Sequence, residues 1–198
     1  MDDLIFLEQE HIYMLCGEVI PSVTELCRFL HREVYATAPV WAMEAAAIRG
    51  SAVHAAAQAL DETGRAEIAE DYLPYVQAYG AFLREHSPFW EMIETPMYHP
   101  RDNYAGTLDR YGLVDGKRAI VDIKTTYTLP KKLCQAQLNL YRRTLEVRGY
   151  PVEKLYILHL KKDGSYRLME MARDDALPEA LLTLHNATAK KRRRKHGK

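Results

Sequence analysis

Apolar and polar residues alternate most regularly on either side of an Asp115-Gly116 pair. Residues 104–114 and 117–125 are rich in Tyr, Leu, Val and Ile, and Asp-Gly between two such segments is the strongest short-range signal for a two-residue hairpin turn. The segments are therefore expected to pair antiparallel, with residues equidistant from the turn facing each other. Upstream, 11–19 reads as a strand or hairpin edge containing Gly17. Pro21-Ser22 then opens a helix to about residue 33, with Ser22 as cap and Glu25 completing a capping box. The alanine-rich stretch 42–60 reads as one long helix or two abutting ones, ending near Thr63-Gly64. A further helix is expected over 67–85, with Pro74 near its first turn or at a kink, and 89–98 reads as extended.

Beyond the hairpin, 131–148 has helical composition and stops at Gly149, with Pro151 just after. Strands at 152–160 and 166–171 flank Asp163-Gly164, and a last helix covers about 177–189. Helices, a run of strands, a helix, two strands and a helix make a mixed α/β fold, a central mixed sheet flanked by helices. A chain of 198 residues suits one domain over 1–189, with a helical N-terminal part at about 20–86 and a core at about 87–172.

The balance of 27 basic and 27 acidic residues hides an asymmetry. Residues 190–198 hold seven of the basic residues and no acid, leaving 20 basic against 27 acidic in the body. Such a block is expected to be disordered. Lys190, Lys191, Arg192, Arg193, Arg194 and Lys195 are candidates for binding a polyanion, although a solvated tail explains them equally well. No apolar run is long enough to span a bilayer, and the acidic start, Met1-Asp2-Asp3, lacks the basic opening of a secretory signal, so a cytoplasmic setting is expected. Three cysteines, Cys16, Cys27 and Cys134, disfavour a disulfide framework and a four-cysteine metal site.

The chemistry concentrates in the hairpin. Asp109 and Asp122 are equidistant from the turn, so their side-chain roots are expected roughly 4.5 to 5.5 Å apart on one face. Lys124, two residues beyond Asp122, points to the same face. Two acids beside one lysine repel each other unless a cation lies between them, and a divalent metal held by oxygen ligands relieves the repulsion. On the 131–148 helix, Gln137 and Tyr141 share a face; alone, such a pair is more often packing than function. His54, among small residues after Arg49-Gly50-Ser51, reads locally as structural. Glu94 could add a carboxylate, but a solvent-facing acid is its ordinary reading.

Taken together, Arg49-Gly50 with His54, Gly106-Thr107-Leu108-Asp109, Asp122-Ile123-Lys124 and Gln137 with Tyr141 occur in an order and spacing that resembles the RecB-like, phage-type branch of the PD-(D/E)XK nuclease superfamily. The resemblance covers about 49–145. It implies a restriction-endonuclease-like core and a DNA nuclease, an exonuclease in recombination, repair or end-processing. His54, Asp109, Asp122 and the Ile123 backbone carbonyl would hold one or two Mg²⁺ or Mn²⁺ ions, with Glu94 as a further candidate. Asp109, Asp122, Lys124, Gln137 and Tyr141 would carry catalysis, Lys124 by positioning the attacking water and steadying charge on the phosphate. The cysteines of the iron–sulfur members are missing, so no such cluster is expected. No helicase motif is present, so unwinding would come from a helicase or recombination partner. The competing readings are a non-catalytic nucleic-acid-binding or assembly module and a structure-specific endonuclease of the junction-resolvase kind.

Overall fold

The computed structural model of the chain describes residues 4–7 and 10–196, the last eight of these as backbone only. It opens with an antiparallel meander of β1 (Leu4–Leu7), β2 (Ile12–Leu15) and β3 (Glu18–Ile20). Four helices follow: α1 (Val23–Leu26), α2 (Arg28–Val34), α3 (Val40–Thr63) and α4 (Leu73–His86). Ser22 Oγ accepts the Glu25 N–H at 2.9 Å, as its capping position predicts. The expected helix to residue 33 is two short ones, because Cys27, at φ −79° and ψ 0°, interrupts the helical run. Gly64 closes α3 in the left-handed conformation, and Pro74 sits in the first turn of α4 where its missing N–H costs nothing.

The second sheet is formed by β4 (Phe89–His99), β5 (Tyr104–Val114), β6 (Lys117–Lys124), β7 (Lys154–Leu160) and β8 (Tyr166–Glu170) in that order. All its neighbours are antiparallel except β6 and β7, which run parallel because α5 (Lys131–Val147) crosses over between them. The sheet is mixed and flanked by helices, as the pattern of elements predicts. Asp115 and Gly116 both have positive φ, 49° and 72°, the requirement of a type I′ turn. The turn fixes the expected register, with Val114 facing Lys117 and Arg110 facing Val121.

Strand alternation divides the core between the two faces of this sheet. Ile120 of β6 and Leu155 and Ile157 of β7 pack with α1, α2, α5 and Leu181 of the last helix. Ala119, Val121 and Ile123, with Leu158 and Leu160, pack against Val53 and Ala57 of α3 and Tyr79 and Phe82 of α4. Where β4 approaches β5 most closely, a Cβ on Gly112 would lie 2.0 Å from the Phe89 carbonyl oxygen, so only glycine fits.

The last helix, α6 (Ala176–His196), corrects the expectation of a disordered basic tail, since its backbone carries the helix through 190–196. Ala, Lys and Arg are strong helix formers, and positive charge near a helix C-terminus is favourable. The side chains of this stretch, and residues 197 and 198, lie outside the described residues. Among the described residues, no helix is long and apolar enough to cross a membrane.

His99, at the end of β4, is buried, stacked on Tyr104 at 5.0 Å, and its Nδ1 accepts the Asp102 N–H at 2.9 Å. Burial holds its imidazole below the ordinary value, and Arg143, Arg101 and Arg148 add to this against the pull of Asp102. In the unfolded chain the same ring takes up a proton near pH 6.5. The stabilisation is thus complete above that pH and lost as pH falls towards the depressed folded value. Thermal melts at pH 7.5 and 5.5 should show a smaller drop in Tm for His99→Gln than for the parent chain, and equal drops would contradict this.

Candidate active site

The hydrogen-bonded register of β5 with β6 runs from the turn to the Arg110 and Val121 pair and stops one pair short of the two aspartates. There Asp109 Oδ2 accepts the Ile123 backbone N–H at 2.7 Å, so a side chain replaces the next rung of the ladder. The parting strands open into a cleft of about 610 Å³, lined by His54, Glu94, Asp109, Asp122, Lys124, Gln137 and Tyr141. Asp122 and Lys124 share the α5 face, with Lys124 Nζ 2.6 Å from Asp122 Oδ2. His54 arrives from α3, on the opposite layer. Its Nδ1 lies 3.1 Å from Glu94 Oε1 and 3.7 Å from Asp109 Oδ2, and its Nε2 lies 3.1 Å from the Ile123 carbonyl oxygen.

Every side chain expected at the site from the sequence, the basic tail apart, lines this one cleft, and the Ile123 carbonyl borders it through His54. Glu94 is not the solvent-facing acid of its ordinary reading: it is half-buried and bonded to His54 and Arg110. Its φ is +40°, a strained conformation for glutamate that turns the side chain out of the strand pattern towards His54. Gln137 and Tyr141 project from α5, and Tyr141 lies directly over β5 because Gly106 has no side chain. A Cβ there would come 2.8 Å from Tyr141 Cε1.

The charges are strongly interdependent. Burial pushes the Asp109 carboxyl up to about 6, opposed by His54 and reinforced by Asp122 and Glu94. Burial alone would lower the His54 imidazole, but Asp109 and Glu94 outweigh it and raise it to about 9, so in the cation-free cleft at neutral pH the ring donates to both Glu94 and Ile123, and a metal bound by His54 would displace one of those protons. Burial likewise disfavours the Lys124 ammonium, yet Asp122 and Asp109 hold it well above its ordinary value and charged. Burial, with the two aspartates nearby, keeps the Tyr141 phenol protonated.

The residues fit a divalent cation. The ligand atoms of His54, Glu94 and Asp109 lie within 4.8 Å of one another, and the Ile123 carbonyl borders the same space. Asp122 Oδ2 is buried and, its close ion pair with Lys124 apart, has no hydrogen-bond donor. Carboxylate and carbonyl oxygens with a single imidazole are donors suited to Mg²⁺ or Mn²⁺.

Two residues outside the expected set support the site. Arg110 is wholly buried and donates to Asp61 Oδ2 at 2.7 Å, to Glu94 Oε1 at 2.9 Å and to the Asp109 carbonyl at 2.7 Å. Asp61 also accepts from Tyr79 at 2.7 Å and Trp90 at 3.2 Å. Only the need for a partner could be read from the sequence, not which residue supplies it. An arginine inside an apolar strand demands a buried partner, and Asp61 stands seven residues after His54, on the same face of α3.

No protein-family model and no curated protein matches the chain. Among solved structures it is similar to the alkaline exonuclease LHK-Exo from Laribacter hongkongensis, at 18% identity and a TM-score of 0.43 over 72% of this chain and 82% of that one. A structure of LHK-Exo in complex with dAMP gives 16% identity and a TM-score of 0.46 over 89% and 93%. Likeness of this degree is too slight to carry chemistry, which rests on the side chains.

Removing one partner of a buried charge pair leaves the other uncompensated, at a cost of roughly 3 to 5 kcal/mol. Urea unfolding of Arg110→Met should show a loss of about that size, largely recovered in the double variant Arg110→Met with Asp61→Leu. Parental stability in the single variant would refute the bracing role.

Proposed function

We propose that this protein is a divalent-metal-dependent deoxyribonuclease of the PD-(D/E)XK type that hydrolyses phosphodiester bonds from DNA ends. The observation that carries the reading is the convergence of Asp109, Asp122 and Lys124 in one cleft where β5 and β6 part, with Glu94 of β4 beside them and His54 of α3 reaching in from the opposite layer. His54, Glu94, Asp109, Asp122 and the Ile123 carbonyl would hold one or two Mg²⁺ or Mn²⁺ ions. Such ions supply charge neutralisation at the phosphate and a more acidic water.

The chain's own residues do the rest. Lys124, kept protonated by Asp122 and Asp109, places a fixed positive charge where negative charge grows on the phosphate. Tyr141, whose phenol stays protonated, and Gln137, four residues before it, present hydrogen-bond donors from α5 that orient the DNA backbone. Arg110 holds Glu94, and Glu94 holds the His54 ring, so the position of that ring is set from two strands and α3. Action on ends is carried over from the sequence resemblance to phage-type exonucleases. The setting proposed is phage-type or prophage-type end-processing in recombination or repair, in the cytoplasm, with any unwinding supplied by a partner.

End-labelled linear DNA and closed circular DNA, each incubated with EDTA, Mg²⁺ or Mn²⁺, test this directly. Label should leave linear DNA with either metal and not with EDTA. Asp109→Ala, Asp122→Ala and Lys124→Ala should each lower the rate by roughly 10²-fold or more while preserving the far-ultraviolet circular dichroism. Full activity in any of the three refutes the assignment. Cutting of closed circles points to an endonuclease, and metal-independent binding without cleavage to a non-catalytic module.

A further inference from the structure

The cleft has a second wall that plays no part in hydrolysis. The same cleft is lined by Phe6, His11 and Tyr13 of the N-terminal meander. Phe6 stacks on Tyr13 with centroids 4.5 Å apart and planes 17° from parallel. His11 stands edge-on to both, at 5.4 Å and 5.7 Å. The three rings are layered from inside outward: Tyr13 is fully buried, Phe6 is half-buried over it, and His11 is exposed. Packing of a small meander accounts for Tyr13. It does not account for an aromatic edge left open towards a polar catalytic cleft.

The wall is also fixed in position relative to the carboxylates. The Tyr13 hydroxyl is hydrogen-bonded to Thr107 Oγ1 at 2.8 Å, and Thr107 lies two residues before Asp109 on β5. The Ala105 N–H donates to the Pro21 carbonyl at 2.9 Å, clamping the end of the meander to the same strand. β5 thus anchors the ring wall and carries the first aspartate. A fixed π surface and a phosphate-hydrolysing centre lining one cleft of about 610 Å³ have the form of a nucleotide site, with the base on the rings and the phosphate at the charges.

We propose that the edge formed by Phe6 and His11 is a nucleobase-stacking wall that seats the terminal nucleotide of a nucleic-acid strand while its phosphate lies at Asp109, Asp122 and Lys124. This rests on the nuclease reading for the phosphate end, and on the rings alone for the base end. Stacking makes the seat tolerant of base identity, because every base has a π face.

The test uses a short oligonucleotide with 2-aminopurine as its terminal base, mixed with the full chain carrying Asp122→Asn and Mg²⁺ so that binding is observed without hydrolysis. Fluorescence should fall on binding. Phe6→Ala and the volume-preserving Phe6→Leu should each remove the quenching and weaken binding roughly tenfold, whereas Phe6→Trp should retain both. An oligonucleotide lacking the terminal base should bind parent and Phe6→Ala alike. Quenching that persists in both Phe6→Ala and Phe6→Leu, or no quenching in the parent, overturns the proposal. Cleavage of linear DNA with Phe6-independent quenching leaves the nuclease reading intact and sinks the wall. Phe6-dependent quenching in a chain that cleaves nothing does the reverse.

Discussion

The structure depends on one substitution of hydrogen-bond partners. Where the β5 and β6 ladder would continue, the Asp109 carboxylate takes the Ile123 N–H, and the strands separate into a cleft instead of closing into a sheet. A buried backbone N–H must have a partner, so this side-chain bond is what permits the strands to part without stranding a donor. The same bond places Asp109 beside the strand that carries Asp122 and Lys124. Sheet geometry and site chemistry therefore share a single contact.

Opening the sheet gathers acidic groups in a poorly solvated place, and the surrounding cations answer that concentration of charge. Lys124 pairs with Asp122, His54 lies between Glu94 and Asp109, and Arg110 bridges Glu94 to Asp61 behind the cleft. His54 and Arg110 share Glu94 Oε1, and together the three cations span both helical layers. Burial raises the cost of every charge, and the pairings outweigh it for His54, Lys124 and Arg110 alike. Within this cluster, Glu94 and Asp109 with the His54 ring converge before any ion arrives, an arrangement suited to a small hard cation.

Much of this was legible in the sequence, for physical reasons that differ from residue to residue. The Asp115-Gly116 turn fixed the hairpin register, and register with a two-residue period placed Asp122 and Lys124 on one face. Gln137 and Tyr141 followed from helical spacing. His54 was locally ambiguous, because a histidine among alanines looks the same whether it binds a metal or fills space. Glu94 was misjudged because its orientation comes from a positive φ that no propensity predicts. Arg110 and Asp61 were missed because their pairing joins a strand to a helix 49 positions apart, and neither residue carries a local signal of its own. β1 lacked the turn chemistry that marks hairpins, and Cys27, which splits the first helix, has no breaker character.

On the proposed reading, the parting of β5 and β6 builds a cation site from both aspartates. Crystals grown with Mn²⁺ and measured for anomalous scattering test it most directly. A peak is expected at ligand distance, roughly 2 Å, from carboxylate oxygens of both Asp109 and Asp122. A Mn²⁺ peak elsewhere on the molecule, with those two carboxylates bound only to Lys124 and the Ile123 amide, would contradict it.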